Sequence, residues 1–579
     1  MTDISKSTVA RYMGSAPETI TLPKGSIVTK GFVTSMQKVF AVQPQMIEVA
    51  PNVYNFVGNG ISSRTMIDAP EGLIIFDTGD DLEDGEAAYA AFREVSDRPI
   101  RAIVYSHNHY AHGTKAFIDG MSAEERENLI IIGHEDVNEH LADITSGFAT
   151  GGEFPEAIGA LTARYISQFG GQLPPEGPDS GAAATIPLDM EKGTVLATHT
   201  VTDGQKMTVA GLELVFYTEH FSDSEDTVTV HVPSMDLVFN NFLWPALFNF
   251  YTLRGDVFRD PASWRNGLRV IHELEPELLV NTHALPLTGK EHIRGTLERY
   301  MDSISFMIDQ TLRGINKGMG PTELREFVRL PQVLQDEPHN AAIYSEFNFF
   351  APHMYHHIFG WYDNNAAHIA KLPVDEEARR MVRGFGGAAE VARQARAALT
   401  AEDVLWATQL ADYLYQTDRE NPEYRQLRAD TLREMAKRSS GTILRHFSLT
   451  EALACEGKIE RIHTVLPSVA SILQSEPGRY VNFYRVRLDP VAAEGVAQTI
   501  RIEITDHDAA FGLSIRNGVC NFSSEPARDV GATLSLTLED WAKFYVGELS
   551  LEELIALPGA RDDQQDLRKF FEMFDAVPG

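Results

Sequence analysis

Three histidines stand close together in the segment 105–117, which reads YSHNHYAHGTKAF. They are His107, His109 and His112, and they follow an apolar run and precede a glycine-containing segment. Histidines at alternating positions of a loop that leaves a strand can point at one ion, and a third histidine three residues later can serve a second ion nearby. The spacing therefore predicts a metal site.

A second group of polar residues, Asn249, Arg254 and Arg259, is suited to binding an anion. An arginine fork binds a sulfate-like oxyanion through two hydrogen bonds, and a neighbouring amide can donate another. The alternative interpretation is a structural ion pair of Arg259 with Asp256 or Asp260. In a chain with a net charge of −32, a local positive site is what an anionic substrate requires.

The elements around the histidines alternate between strand-like and helical patterns. Short β-branched or aromatic runs that end at Gly, Asp or Ser are typical of buried strands. The runs of this kind are NVYNFVG, GLIIFDTG, RAIVYS, NLIIIG and LELVFYT. Between them LEDGEAAYAAFREV has helical apolar spacing behind an acidic cluster. Residues 1–302 are therefore predicted to form an α/β domain, with an N-terminal extension, whose metal loop leaves the end of a strand.

The pattern changes after residue 302. Residues 303–437 contain long segments with apolar residues at three-to-four spacing, which predict an all-α domain with one face available to a second subunit. Residues 438–579 carry strand-like runs and a closing helix at LEDWAKFYVG, which predict a small α+β domain. The runs in that last part are RVRL, TIRIEIT, FGLSIRNGVCNFS and ATLSLTL.

Composition excludes several classes of protein. A chain of 579 residues is too long for one core, and 43% apolar with 23% charged residues is typical of globular domains. The charge of −32 argues against nucleic acid and anionic membrane as partners. Two cysteines, Cys455 and Cys520, cannot build a disulfide framework. The most apolar segment, 238–253, is too short and too interrupted for a membrane span, and the first residues do not resemble a signal peptide, so a cytoplasmic location is expected.

The order of motifs resembles one family. FDTGDD followed by SHNHYAHG is similar to the metallo-β-lactamase superfamily, and NFYTLRGDVFRD, GWYDNNAAHIAKLP, LWATQLADYL and the C-terminal strands resemble its alkyl sulfatases. The resemblance implies a metallo-β-lactamase αββα sandwich (1–302), an all-α dimerisation domain (303–437) and a small α+β domain like sterol carrier protein 2 (SCP2-like, 438–579). It also implies a homodimer.

The resemblance also implies the roles of individual residues. His107, His109 and Glu219 match the ligands of a first metal ion, and His112 and His283 match ligands of a second. The implied cofactor is Zn2+, as one or two ions. Asp77 is expected to brace the metal loop through hydrogen bonds, since a strand-end aspartate in this family does so without binding the ion.

Two positions depart from the family pattern. Ala111 stands where the family has an aspartate, and Asn241 stands where it has a bridging glutamate. Two divalent ions would then lack carboxylate charge, and uncompensated charge in a pocket of low dielectric costs several kcal/mol. Three solutions remain open: Asp223, Glu225 or Asp226 serves as a substitute ligand, the substrate anion completes the charge balance, or only one metal is held.

The expected function is hydrolysis of an alkyl sulfate ester or a similar small anionic ester. A bound metal would lower the pKa of water or polarise an ester oxygen. The family positions of Asn249 and Arg254 hold the sulfate, and that of Arg259 is near the reacting group. If no second ion is held, His112 and His283 could act as general bases near neutral pH.

Two other classes of function remain open. With one metal, His107, His109 and Glu219 would form the facial set of two histidines and a carboxylate that non-haem Fe2+ oxidative enzymes use. The chain could also be a non-catalytic descendant that has kept the fold and lost the second ion. Metal analysis separates zinc from iron, and one ion from two.

Overall fold

The chain folds into two compact units. The first comprises residues 1–141 and 164–461, and the second comprises residues 142–163 and 462–579. The domain boundary predicted at residue 438 lies inside the first unit, just before the helix Thr442–Cys455. The computed structural model describes residues 17–41, 43–143, 154–182, 190–250, 253–255, 257–526, 530–560 and 564–576.

A seven-stranded sheet carries the histidine loop. Its strands are rich in β-branched and aromatic residues, which suit a pleated and buried surface. The first four strands pair antiparallel, and the last four pair parallel. In their order across the sheet, the strands are Gln45–Ala50, Val53–Val57, Arg64–Ala69, Gly72–Phe76, Ile100–Val104, Ile130–His134 and His199–Val201.

A six-stranded sheet lies against the first. Its strands pair antiparallel except for Leu237–Asn240 with Leu278–Asn281, which run parallel. That parallel pair is connected through the helix Pro261–Leu274, as parallel strands require. In their order across the sheet, the strands are Lys206–Val209, Leu212–Tyr217, Thr229–Val232, Leu237–Asn240, Leu278–Asn281 and Leu287–Thr288.

Three apolar clusters hold these layers together. Side chains from both sheets interdigitate in a shared cluster that includes Phe76 and Phe239. The outer face of the first sheet packs on the helix Leu82–Val95 through Phe92, and the outer face of the second packs on neighbouring helices through Trp264. The αββα sandwich predicted from the resemblance is therefore confirmed.

The helices of the first unit follow the predicted periodicity. The long segment after Pro373 divides into two helices at Gly386 and Gly387, whose φ angles of 99° and 97° favour glycine. Asp81 caps the helix that follows it by accepting a hydrogen bond from the amide of Asp84. Two helices, Val137–Asp143 and Ile158–Gln168, cross the borders of this unit. The helices that lie wholly within it are Lys30–Val39, Leu82–Val95, Thr114–Asp119, Ala123–Glu127, Pro261–Leu274, Lys290–Ile315, Pro321–Phe327, Gln332–Gln335, Phe350–Phe359, Val374–Gly384, Ala388–Thr400, Val404–Thr417, Pro422–Arg438 and Thr442–Cys455.

The second unit is a four-stranded sheet covered by helices. Asn517 and Gly518 have positive φ angles and connect the strands Ala509–Arg516 and Val519–Ser523, as an Asn-Gly hairpin turn requires. The prediction of a strand at RVRL is wrong, because Arg485–Arg487 continue a helical segment as a single 3-10 turn. The strands in sheet order are Val519–Ser523, Ala509–Arg516, Gln498–Ile504 and Ala532–Leu536. The helices are Val469–Leu473, Arg479–Tyr484, Leu538–Val546, Leu551–Ile555 and Gln564–Phe571.

The most apolar segment of the sequence is an interior wall of the first unit. All residues from 237 to 250 are buried, including Trp244. Across the described ranges, no helix combines the length and apolar character that crossing a membrane demands.

Candidate metal centre

The histidine loop begins where the strand Ile100–Val104 ends. Asp77, at the end of the neighbouring strand, is fully buried, and its Oδ1 accepts a hydrogen bond of 2.7 Å from the amide of Ser106. The Thr282 hydroxyl lies 3.4 Å from Oδ2. Burial raises the pKa of Asp77 to about 7, and these hydrogen bonds favour its ionised form. Asp77 therefore has the bracing position that the sequence analysis favours.

Two of the predicted histidines converge on one point with an aspartate. The ligand atoms of His107, His109 and Asp223 all lie within 4.8 Å of one another, and all three residues are buried. Asp223 Oδ2 lies 3.4 Å from His109 Nδ1 and 3.8 Å from His107 Nε2. A cation between these atoms would take the place of these two contacts.

The buried nitrogen of His107 fits a metal ligand. Nε2 has no hydrogen-bond partner, which is costly for a buried polar atom. Nδ1 lies 2.8 Å from Ser106 Oγ and 3.2 Å from the side-chain amide nitrogen of Asn241, and these contacts orient the ring so that Nε2 faces Asp223. Two imidazoles and one carboxylate with open positions are a donor set that suits a catalytic divalent ion.

Electrostatics favour the metal-binding protonation states of His107 and Asp223. Burial lowers the pKa of His107 to about 3, so its imidazole is neutral. Burial alone would raise the pKa of Asp223, but His107, His109 and Arg259 bring that pKa well below its usual range. Neutral histidines and an ionised carboxylate are the protonation states that a divalent cation requires.

Glu219, the carboxylate predicted from the resemblance, lies outside this group. Its side chain is exposed, and its backbone amide donates to Asp203 Oδ1 at 3.2 Å. Asp223, four residues later, is 8% exposed and takes the position beside the histidines. Of the substitutes that the sequence analysis weighs, Asp226 instead accepts a hydrogen bond from the amide of Asn108.

His112 and His283 are buried but do not join the three-residue group. His112 Nδ1 lies 2.7 Å from Thr194 Oγ1. His283 packs against the ring of Trp244, with centroids 4.4 Å apart, and contacts Tyr110. Within the described ranges, the one group of three or more potential metal ligands that lie together is His107, His109 and Asp223.

The two departures from the family pattern have defined surroundings. Ala111 is fully buried within the apolar cluster on the outer face of the first sheet. Asn241 donates from Nδ2 to Asp223 Oδ1 at 2.6 Å and to Ser222 Oγ at 3.0 Å. The amide thereby orients the carboxylate of Asp223, a role that sequence alone did not indicate.

The predicted anion-binding residues are buried in the same unit. Arg259 Nη1 donates to the carbonyl of Asn249 at 3.0 Å, and Ser345 Oγ donates to Asn249 Oδ1 at 3.0 Å. The guanidinium of Arg254 stacks over the ring of Tyr165 at 4.8 Å. All three predicted residues are at most 5% exposed.

The alternative to anion binding by Arg259 is a structural ion pair with Asp256 or Asp260. Asp260 accepts a hydrogen bond of 2.8 Å from the amide of Ala262 and caps the helix Pro261–Leu274. Asp256 lies outside the described residues. The cap gives Asp260 a local structural role.

The positive charge of Arg259 affects the pKa values of residues in and beside the metal cluster. Arg259 lowers the pKa of Asp223 and, behind the larger effect of burial, that of His283. Burial raises the pKa of Tyr344, while both Arg254 and Arg259 lower it. The positive site therefore lies within electrostatic range of the histidine cluster. Sequence reasoning missed Tyr344, because no motif connects it with Arg254 and Arg259, which lie 90 and 85 positions earlier.

Three family models match the chain. They are the metallo-beta-lactamase superfamily over residues 57–113, alkyl sulfatase dimerisation over residues 320–458 and alkyl sulfatase C-terminal over residues 467–578. The ranges cover parts of all three predicted domains.

Curated relatives span nearly the whole chain. A linear primary-alkylsulfatase of Pseudomonas sp. is 30% identical over 88% of this chain and 98% of its own length. An (R)-specific secondary-alkylsulfatase of Pseudomonas sp is 27% identical over 92% of this chain and 81% of its own length. The alkyl/aryl-sulfatase BDS1 of Saccharomyces cerevisiae is 24% identical over 97% of this chain and 91% of its own length. These relatives give no support to the iron-dependent alternative.

The fold is shared with a solved structure. The stereoselective inverting sec-alkylsulfatase Pisa1 from Pseudomonas sp. superimposes with a TM-score of 0.76 and 21% identity. The match covers 100% of this chain and 95% of that chain. The likeness extends over all the elements described above.

Proposed function

The chain belongs to the alkylsulfatase family of the metallo-β-lactamase superfamily, and on that premise we propose that it hydrolyses alkyl sulfate esters at the His107, His109 and Asp223 cluster. One observation carries the proposal: a buried metal-ligand set lies within electrostatic range of buried arginines. In the net reaction, water and the ester give an alcohol and sulfate with release of a proton.

A divalent ion, which we propose to be zinc, would be held by the two histidines and Asp223. When bound, it supplies Lewis-acid chemistry by lowering the pKa of water or polarising the ester oxygen. Two imidazole nitrogens and one carboxylate oxygen are a usual donor set for catalytic zinc. The neutral state of His107 and the ionised state of Asp223 support this assignment.

The arginines would hold the anionic group of the substrate. The guanidinium groups of Arg254 and Arg259 are planar and remain charged, and each can donate hydrogen bonds to two oxygens of a sulfate. The hydrogen bond from Ser345 fixes the orientation of the Asn249 amide beside them. These buried charges provide the local attraction that an anion requires in a chain with a net charge of −32.

The apolar wall would contact the alkyl chain. Residues 237–250 include buried aromatic and aliphatic side chains next to the arginine segment. Trp244 connects this wall with the buried histidines, since the centroid of its ring lies 4.4 Å from that of His283. Burial of each methylene contributes about 0.8 kcal/mol, so a chain of several carbons would add binding energy that a short alkyl sulfate lacks.

Arg254→Ala tests the proposal. We expect kcat/KM for a linear alkyl sulfate to fall at least about 100-fold, because a charge-assisted contact to the oxyanion is lost. Arg269→Ala is the control, because that arginine lies on an exposed helix surface with 59% of its side chain accessible. Released sulfate is measured, alongside hydrolysis of a neutral ester of equal chain length. If the neutral ester is the better substrate and Arg254→Ala leaves it unchanged, the sulfatase assignment is wrong.

We also infer that the protein is a homodimer formed through the helical region. The alkyl sulfatase dimerisation model matches residues 320–458. Within that region, large apolar side chains are exposed along one short segment: Ile358, Phe359, Trp361, Ile369, Leu372 and Val374. Such a concentration is typical of a surface that another protein covers.

A further inference from the structure

We propose that Tyr110 occupies the position of the second metal ion and that the site holds one ion only. The inference rests on the proposed function, because it concerns the same site. The family resemblance places the second ion between His112 and His283, with carboxylates at positions 111 and 241. The residues present here do not fit that ion.

The hydrogen bonds of His283 give the first argument. Its Nδ1 lies 3.3 Å from the carbonyl oxygen of Ile61, which can only accept, so Nδ1 carries the proton. Nε2 therefore presents its lone pair, and the hydroxyl of Tyr110 lies 3.4 Å from it. The phenol donates to the nitrogen that would otherwise bind a metal.

The packing of Tyr110 gives the second argument. Its side chain is buried, and its ring meets three histidine rings edge to face. The centroid distances are 4.9 Å to His107, 6.1 Å to His109 and 5.1 Å to His283. The phenol thus fills the space between the first-ion histidines and His283. A second ion at bonding distance from His283 Nε2 would overlap its hydroxyl.

Charge gives the third argument. Ala111 offers no ligand and packs in an apolar cluster. Asn241 uses its amide hydrogens on Asp223 and Ser222, so it serves the first ion by orienting its carboxylate. A second divalent cation would enter a buried space where positions 111 and 241 supply no carboxylate, which is unfavourable by several kcal/mol. The residue at 110 and the two departures at 111 and 241 all disfavour the same ion.

Metal binding without substrate tests the inference. Purified protein is stripped with a chelator and titrated with Co2+ alone and with Zn2+ alone, and bound metal is counted by elemental analysis after dialysis. We expect one ion per chain for the wild type. Two ions of similar affinity in the wild type would overturn the inference.

Two variants separate the phenol from the missing carboxylates. Ala111→Asp with Asn241→Glu restores both carboxylates while Tyr110 remains, and we expect one ion. Adding Tyr110→Ala to this pair should raise the count to two. Two ions in the double variant, or one ion in a folded triple variant, would contradict the role of Tyr110. Circular dichroism checks folding, and the wild-type count decides the question if the triple variant does not fold.

Tyr110→Phe and Tyr165→Phe are the matched controls. The first removes the hydroxyl but keeps the ring that fills the space, and the second removes a hydroxyl from the tyrosine beside Arg254. Both should bind one ion, because positions 111 and 241 still supply no carboxylate, and two ions in Tyr110→Phe would contradict the charge argument. The count is independent of turnover. One ion without any sulfate release would therefore refute the proposed function and leave this inference standing.

Discussion

Asp223 and Glu219 lie four residues apart in one loop, but only Asp223 faces the histidines. The segment TEHFSDSED offers four carboxylates, and it has neither helical nor strand periodicity that would fix their directions. Sequence reasoning could therefore predict the histidine pair and an acidic partner from this loop. It could not select the residue, because hydrogen bonds from Asn241 and Ser222 decide which carboxylate is held inside.

Replacing the two carboxylates separately distinguishes them. Asp223→Asn should weaken metal binding by more than the roughly 10–100-fold that loss of a supporting residue costs, because a charged ligand is removed. Glu219→Gln should leave affinity unchanged, because that side chain is exposed. Competition with a chromophoric chelator measures both constants. If Glu219→Gln weakens metal binding and Asp223→Asn leaves it unchanged, Glu219 is the ligand.

At the scale of elements, strand prediction succeeded where burial dictates composition. GLIIF is buried along its whole length as the strand Gly72–Phe76. A continuous apolar run with β-branched residues is typical of a strand that is buried on both faces. RVRL failed because its alternation is only four residues long and follows the helix Arg479–Tyr484 directly. Such a short run cannot outweigh the continuation of a helix.

A charged junction joins the last two helices of the first unit. Glu456, at the end of Thr442–Cys455, accepts two hydrogen bonds of 2.6 Å from Arg433 on the preceding helix. Lys458 lies 2.8 Å from the same carboxylate. The hydrogen bonds from Arg433 hold the pKa of Glu456 at about 2, below the value of about 4.3 in an unfolded chain.

Glu456→Gln should therefore destabilise the protein in a pH-dependent way. The folded pKa is depressed, so the carboxylate contributes stability above about pH 4.3 and loses it as the pH falls towards 2. We expect a loss of about 1–2 kcal/mol at pH 7 and a smaller loss at pH 3. Urea unfolding at both values measures it, with Glu420→Gln as the control because its carboxylate is 92% exposed. Equal losses at pH 7 and pH 3 would contradict the assignment.

At the scale of the whole molecule, the order of motifs predicted the αββα sandwich, and the helical periodicity predicted the region that follows it. Local patterns did not predict which distant residues meet. Tyr344 and Tyr165 reach the arginine site through packing of separate segments, and no spacing in the sequence records that meeting. Contacts of this kind depend on the tertiary fold.

The exposed apolar segment of the helical region allows a test of assembly. Trp361→Asp should convert the proposed dimer into monomers, because a charge would be buried against apolar surface. Val491→Asp is the control, since Val491 is 78% exposed and lies outside the dimerisation region. Analytical ultracentrifugation gives the masses. A dimer that survives Trp361→Asp would place the interface elsewhere.

The most direct test of the whole account combines metal content with turnover. Metal-free protein is titrated with Zn2+, and sulfate release from a linear alkyl sulfate is measured in each sample. Turnover should rise in proportion to added metal and reach a plateau at one ion per chain. Absence of sulfate release at one bound ion, or a requirement for two, would contradict the account.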